Sequence, residues 1–315
     1  MPSKGADFKN INLLLDRPIS ISLILVFLIL LSSYIEFSVG QDIDSYTNNI
    51  IDTHLERGGK TLFYNFFALP LYAYFGSVDF VLSIIKSTII TIFFIALTLN
   101  ARNIKHVLVG SLVILLMPTF QEHFQEFLRQ GLSLALLFCG LSLKKFLPKV
   151  FLVCLSIGMH YIVLIPLSFI FFYSAIIYLL GRSITFPLMI SMVITSLILP
   201  LMFYTPYDIR GLLQDIPYVL SGQRANILGL TFIFFYMIIM AYQFSRIPTA
   251  YMFAAFATAC MVLALYPIIT DFSRFICIVS VCHFCALAFS ARTRPVAIGH
   301  FMFVAGILAI IPSTL

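Results

Sequence analysis

The chain has 315 residues, of which 61% are apolar and 10% are charged, and its mean hydropathy is +1.04. Soluble domains carry about 45–50% apolar and about 25% charged residues, because a surface in water needs polar cover. The composition therefore excludes cytosolic and secreted enzymes and predicts a polytopic membrane protein. Its net charge of +6 is typical of the lysine and arginine excess in cytoplasmic loops, not of nucleic-acid binding.

Apolar runs between charges and prolines predict an all-α fold with about eleven transmembrane helices in one transmembrane domain over residues 1–315. The predicted spans are 18–39, 80–100, 105–120, 127–146, 149–164, 165–181, 184–204, 227–245, 248–266, 273–291 and 295–312. The first span lacks a small-residue cleavage site, so no cleavable signal is expected. The apolar segment 62–77 is short and contains Pro70, which favours an interfacial or re-entrant helix with Tyr64, Tyr72 and Tyr74 at the membrane surface.

The charges of the connecting loops predict the orientation. One set of loops holds twelve basic and two acidic residues, and the opposite set holds six basic and ten acidic residues. The positive-inside rule then places the N-terminus in the cytoplasm and the long loops 40–61 and 204–226 on the outer face, where we expect the chemistry. This layout requires that 62–77 does not cross and that two short spans lie between Lys149 and Arg182.

The first outer loop contains a carboxylate beside a tyrosine, Asp44 and Tyr46. Such a pair suits sugar hydroxyls, because the carboxylate accepts a hydrogen bond or a proton and the ring packs on the sugar face. The simpler interpretation is a solvated loop with turn residues.

A second charged feature, Glu126 and Arg129, opens the predicted span 127–146. A charge near or inside an apolar span is costly, so it favours a functional role. The two residues are three apart and can pair on one helix face. The alternative is a snorkelling pair at the membrane surface.

Two further polar residues stand inside apolar runs. His160 either hydrogen-bonds a neighbouring helix or, near a helix break at the outer surface, binds a phosphate or acts as a base. Lys86 lies within the predicted span 80–100, and a carboxylate inside the bundle is its expected partner. Cys282, His283 and Cys285 superficially suggest a metal cluster, but buried helix cysteines are the simpler interpretation, and no metal site is predicted.

Arginines also occur in the second outer loop and after it, at Arg210, Arg224 and Arg274. Arg274 repeats the arrangement of Arg129, with a guanidinium at the outer end of an apolar helix. Converging arginines form a pyrophosphate clamp, because each binds phosphate oxygens in bidentate geometry. At membrane depth such a clamp predicts a lipid-linked diphosphate whose tail lies in the bilayer.

Four short segments together resemble the EpsG-like and Wzy-type polysaccharide polymerases of bacterial envelopes. They are Asp44-Ser45-Tyr46, the helix start from Phe127 to Ala135, Gly158-Met159-His160, and Phe272-Ser273-Arg274-Phe275. The resemblance covers roughly residues 35 to 290. It implies glycosyl transfer from an undecaprenyl-pyrophosphate-linked oligosaccharide to an acceptor sugar hydroxyl, at the periplasmic face of the bacterial inner membrane.

With this resemblance, the candidate residues divide into three roles. The catalytic candidates are Asp44, Glu126 and His160, the pyrophosphate-binding candidates are Arg129, Arg210, Arg224 and Arg274, and the sugar-binding candidates are Tyr46, Gln130 and Tyr207. No cofactor is expected, because the pyrophosphate linkage is already activated. The expected partners are the lipid-linked oligosaccharide and the bilayer, with a chain-length regulator left open and no nucleic acid.

Three other functions compete with a polymerase. An O-antigen ligase would differ only in its acceptor, the lipid A core. A flippase or another transporter would need a charged central cavity, whereas these charges gather at one face. An O-acyltransferase would need catalytic groups near the cytoplasmic side, and none are apparent there.

Overall fold

The computed structural model describes residues 46–51, 62–100, 110–111, 114, 127–181, 185–204, 227–246, 249–265 and 272–289. All regular structure in these ranges is helical, which confirms the all-α prediction for this part of the chain. The predicted spans 18–39 and 295–312 lie outside it, as does most of 105–120.

The described residues form two compact units, one up to Val163 and one from Leu164 onward. The single domain over residues 1–315 stays a prediction. In its described residues the first unit contains a helical segment at 46–51, a π-helical turn, Phe63–Ala68, and a 3₁₀ turn, Tyr161–Val163, together with four α-helices whose ends are described. The helices are α1 Leu69–Phe75, α2 Val78–Asn100, α3 Leu128–Ser142 and α4 Phe146–Met159.

The segment predicted to be interfacial or re-entrant is helical from the π-turn to the end of α1. It ends at Gly76, whose φ of +68° is left-handed and whose N–H donates to the carbonyl of Tyr72. Only glycine adopts this backbone conformation without cost, so the sequence places the end of α1 and allows α2 to begin two residues later. Whether the segment crosses a membrane stays a prediction.

Helix α3 packs between α2 and α4. It ends at Ser142, the backbone of Leu143 is extended, and only Leu143, Lys144 and Lys145 connect it to α4. Gly140 allows the two helices of this hairpin to approach closely, since a Cβ there would lie 3.0 Å from the Cβ of Leu152.

The second unit is arranged around one helix that is buried on all sides. Its helices are α5 Leu164–Leu180, α6 Thr185–Tyr204, α7 Ile227–Arg246, α8 Ala250–Leu265 and α9 Phe272–Phe289. Twelve of the sixteen residues of α8 are buried, and the helix packs against the other four helices described in this unit. A helix that is apolar all round belongs in a core, and its alanines allow close neighbours.

Two stretches in the described part of the chain are long and apolar enough to cross a membrane, α2 and the helical stretch Tyr161–Leu180. Large apolar residues on α5 are exposed, including Phe171 and Tyr178, the latter at 88%. Helices α3 and α4 are shorter than their predicted spans, with 15 and 14 residues. At 1.5 Å per residue each is about 21–23 Å long, against a hydrocarbon core of about 30 Å.

Candidate functional site

The candidate site is the end of the first unit at which α3 begins, and Arg129 lies at its centre. Arg129 is the second residue of α3 and is partly buried. Its guanidinium carbon lies 5.7 Å from the ring centre of Tyr46 and 5.6 Å from that of Tyr64. Both distances allow a cation–π interaction, so two tyrosines hold the arginine in place.

Tyr46 makes a second contact with the same residue. Its hydroxyl oxygen accepts a hydrogen bond from the backbone N–H of Arg129, with a donor–acceptor distance of 3.3 Å. The first N–H groups of a helix have no partner within the helix, and Phe127 supplies no side-chain cap to α3. The Tyr46 hydroxyl therefore serves as a cap provided by a residue 83 positions earlier in the chain.

Tyr64 reaches Arg129 from the π-helical turn. In that turn the N–H of Leu69 donates to the carbonyl of Tyr64, five residues back. Pro70 follows and has no N–H for the carbonyl of Phe66, so regular α-helical bonding is interrupted here. Single π-turns occur frequently at functional sites. The ring of Phe63 packs against both tyrosine rings, at 6.0 Å and 5.2 Å between ring centres, and fixes the aromatic cluster.

His160 lies at a break between two helices, as the sequence interpretation required. Its extended backbone ends α4, and its Nδ1 accepts a hydrogen bond of 3.2 Å from the N–H of Ile162. A neutral histidine whose Nδ1 is an acceptor carries its proton on Nε2. In this arrangement Nε2 carries a hydrogen and acts as a donor, so the neutral ring does not remove a proton from a substrate.

A buried serine connects the His160 break to α3. The Ser133 hydroxyl hydrogen-bonds the carbonyls of Ser156, at 2.7 Å, and of His160, at 3.1 Å. Ser133 is four residues after Arg129 on α3, so the backbone of His160 lies about one helical turn, near 6 Å along the axis, from the level of Arg129. The structure thus brings Tyr46, Arg129 and His160 to the same end of the first unit.

The other predicted site residues are only partly described. Gln130 is buried. Its predicted contact with a sugar stays a prediction. Arg274 lies in the first turn of α9 in the second unit, where only its backbone is described. The remaining candidates, Asp44, Glu126, Tyr207, Arg210 and Arg224, lie outside the described residues. The arginine clamp therefore stays a prediction.

Sequence reasoning missed a polar network in the second unit. His283 of α9 is fully buried. The hydroxyl of Tyr236 donates to its Nδ1, and its Nε2–H donates to the side-chain oxygen of Gln243. Tyr236 and Gln243 are seven residues apart on α7 and therefore share a face, which is the one signal that the sequence offered.

This network also bears on the cysteine and histidine cluster of α9. Both ring nitrogens of His283 take part in hydrogen bonds, so the ring presents no lone pair to a metal. Cys282 and Cys285 are buried free thiols on the same helix. Among the described residues, no group of three or more histidine, cysteine or acidic side chains could hold a metal ion.

Comparison of the chain with protein-family models, with curated proteins and with solved structures found no match. The polymerase resemblance, the enzymatic activity and the lipid-linked substrate are therefore proposals, and they depend on the residues described above.

Proposed function

We propose that this protein is a membrane glycosyltransferase that polymerises undecaprenyl-pyrophosphate-linked oligosaccharide repeats into O-antigen or exopolysaccharide. The reaction takes place at the periplasmic face of the bacterial inner membrane. One observation carries the proposal: Arg129 is held by Tyr46 and Tyr64 at the end of an apolar helix. A fixed guanidinium in such a place is suited to the phosphate oxygens of a lipid head group.

The reaction needs one bond to form and one to break. The acceptor hydroxyl oxygen attacks the anomeric carbon of the donor sugar, and the bond from that carbon to the pyrophosphate oxygen breaks. The electron pair stays on the leaving lipid pyrophosphate, where Arg129 stabilises the developing negative charge. Its planar fork, oriented by the tyrosine rings, can bind two oxygens at once, which a flexible ammonium does not do.

The remaining roles follow from the hydrogen-bonding state of His160. Because its Nδ1 accepts a backbone N–H, we assign its Nε2–H to hydrogen bonding with a phosphate oxygen or a sugar oxygen. The base that takes the proton of the acceptor hydroxyl is then a carboxylate, Asp44 or Glu126. This revises the sequence interpretation, in which a base role and a phosphate-binding role for His160 were both open.

The membrane location rests on composition and on exposed apolar surface. The helix α5 has apolar residues on nearly every side, and only three of its seventeen residues are buried. Large exposed apolar surfaces mark contact with lipid or with another protein, and a bilayer fits a chain with 10% charged residues. The orientation, with the site outside, rests on the distribution of loop charges.

The gel pattern of surface glycan in a strain lacking the protein tests the function. We expect the long ladders to disappear and a single repeat to stay attached to the lipid A core, with ladders restored by the wild-type gene. Loss of all glycan from the core would indicate a ligase or a flippase. Unchanged ladders would exclude all three functions.

A further inference from the structure

Lys86 is a buried cation in the apolar interior of the first unit. It is 7% exposed and lies on the face of α2 that also buries Leu82, Ile89 and Phe93. It is eight residues, or about 12 Å, from the first residue of the helix. A lysine that only anchors a helix extends to water, whereas this side chain is held inside the protein. An ionisable side chain kept at such a depth marks a functional site more often than an anchor.

One hydrogen bond fixes the level of Lys86 relative to the candidate site. The side-chain amide of Asn100, the last residue of α2, donates to the hydroxyl of Ser142, the last residue of α3, at 2.6 Å. The two helices also pack side by side. Helices that pack along their length and meet at their C-terminal residues must run in the same direction.

Counting back from this shared end places Lys86 beside the start of α3. Lys86 is fourteen residues before Asn100, and Leu128 is fourteen residues before Ser142. Equal rise per residue puts Lys86 and Leu128 at about the same level, and Arg129 is the next residue. Each residue turns a helix by about 100°, so fourteen residues fall about 40° short of four full turns. Lys86 therefore lies within about 40° of the side of α2 from which Asn100 contacts α3.

We propose that Lys86 is a second cation of the site formed by Arg129 and that it binds the pyrophosphate of the lipid-linked donor. This inference rests on the proposed function. Two phosphates carry more charge than one arginine neutralises, and a lysine supplies a compact point charge beside the planar fork of the arginine. The competing partner is a carboxylate of the protein itself, as the sequence interpretation expected.

Binding of radiolabelled undecaprenyl pyrophosphate to purified protein in phosphatidylcholine nanodiscs tests this role. We expect Lys86→Met to weaken binding by about tenfold or more and to leave binding of undecaprenyl phosphate, which has one phosphate fewer, nearly unchanged. Lys86→Arg should stay within about threefold of wild type, because it keeps the charge. Lys149→Met, at the start of α4, is the matched control and should bind as wild type does.

Folding of each variant is checked through the buried thiol of Cys139 on α3, which should resist labelling as in wild type. If Lys86→Met fails this check, Lys86→Gln replaces it, with the same expected loss. Unchanged diphosphate binding in a folded, uncharged variant would overturn the role of Lys86. In that case, loss of binding in Arg129→Met would leave the proposed function in place.

Two further results test the proposed function and the assignment of the site to a membrane lipid separately. If wild-type protein does not bind undecaprenyl pyrophosphate, the proposed function itself is wrong. If inorganic pyrophosphate displaces the lipid at equal concentration, the lipid tail contributes nothing to binding, and the assignment of the site to a membrane lipid is overturned. We expect displacement only at an inorganic pyrophosphate concentration of at least about a hundredfold excess, because burial of the prenyl tail adds affinity.

Discussion

Two sets of polar side chains, one in each unit of this protein, are placed differently along their helices. In the first unit, Arg129 is the second residue of its helix and His160 follows the last residue of another. In the second unit, Tyr236 and His283 lie in the middle of long apolar helices, and Gln243 lies in the last turn of α7. The first arrangement puts a charge and an N–H donor where helices end, and the second joins neutral groups in a buried hydrogen-bonded network.

The difference follows from what each set of groups can bind. Neutral side chains that satisfy one another inside a bundle hold two helices in a fixed register and leave little for a ligand. A guanidinium that lies against aromatic faces is held in one orientation, and its planar N–H edge matches the oxygens of a phosphate. Loss of one of the neutral groups in the second unit should therefore destabilise the fold. Loss of Arg129 should remove activity from a protein that still folds.

The largest expected effect is on activity, from Arg129→Lys. This change keeps the charge but removes the planar fork, and the loss of one stabilising donor in a transition state costs about a hundredfold or more in rate. We expect severe loss of long polymer, measured as glycan ladders on gels, with normal protein in the membrane and a protected Cys139. Arg246→Lys, at the last residue of α7, is the control and should give normal ladders.

Normal polymer from Arg129→Lys would contradict the pyrophosphate role. It would also remove the distinction between the two units, because Arg129 would then be an anchor for which lysine substitutes well.

The next effect is on stability, from His283→Leu. The change leaves the Tyr236 hydroxyl and the Gln243 amide without their hydrogen bonds to the imidazole, and each loss costs about 1–3 kcal/mol in a buried setting. We expect the thiol of Cys285 to become reactive at a lower temperature than in wild type, while Cys139 in the first unit keeps its wild-type profile.

A triple variant separates packing from hydrogen bonding in this network. Replacing all three polar groups, with Tyr236→Phe, Gln243→Leu and His283→Leu together, should recover much of the lost stability, since no group is then left unsatisfied. If His283→Leu abolishes polymer while Cys285 stays protected, the network serves the reaction and our structural interpretation of it is wrong.

Much of the fold could be predicted because apolar runs bounded by charges are strong signals. The predicted span 227–245 matches α7 to within one residue, and 80–100 matches α2 to within two. The end of α4 was predicted less well, at residue 164 instead of Met159. The sequence from Val150 to Leu180 contains no acidic residue, lysine or arginine. Tertiary contacts of Ser133 with the carbonyls of Ser156 and His160 hold the break in place.

The candidate site could be predicted only in part, for a related reason. Tyr46 and Arg129 were both singled out, but their contact joins residues 83 apart and no spacing rule reveals it. Tyr64 was assigned to the membrane surface together with Tyr74. Tyr74 is exposed at 83%, whereas Tyr64 is 6% exposed, because the π-helical turn directs it to the interior.

The smallest effect should come from Tyr64, and it tests whether the aromatic contact with Arg129 matters. Tyr64→Phe keeps the ring over the guanidinium, and Tyr64→Leu removes it. Cation–π interactions contribute about 0.5–2 kcal/mol, so we expect Tyr64→Leu to weaken binding of undecaprenyl pyrophosphate by about 2- to 30-fold. Tyr64→Phe should lose less than Tyr64→Leu, and neither change should affect the protection of Cys285 in the second unit. Equal losses for the two variants would show that the hydroxyl, and not the ring, supports the site, and the guanidinium would then be oriented by hydrogen bonds, as the imidazole of the second unit is.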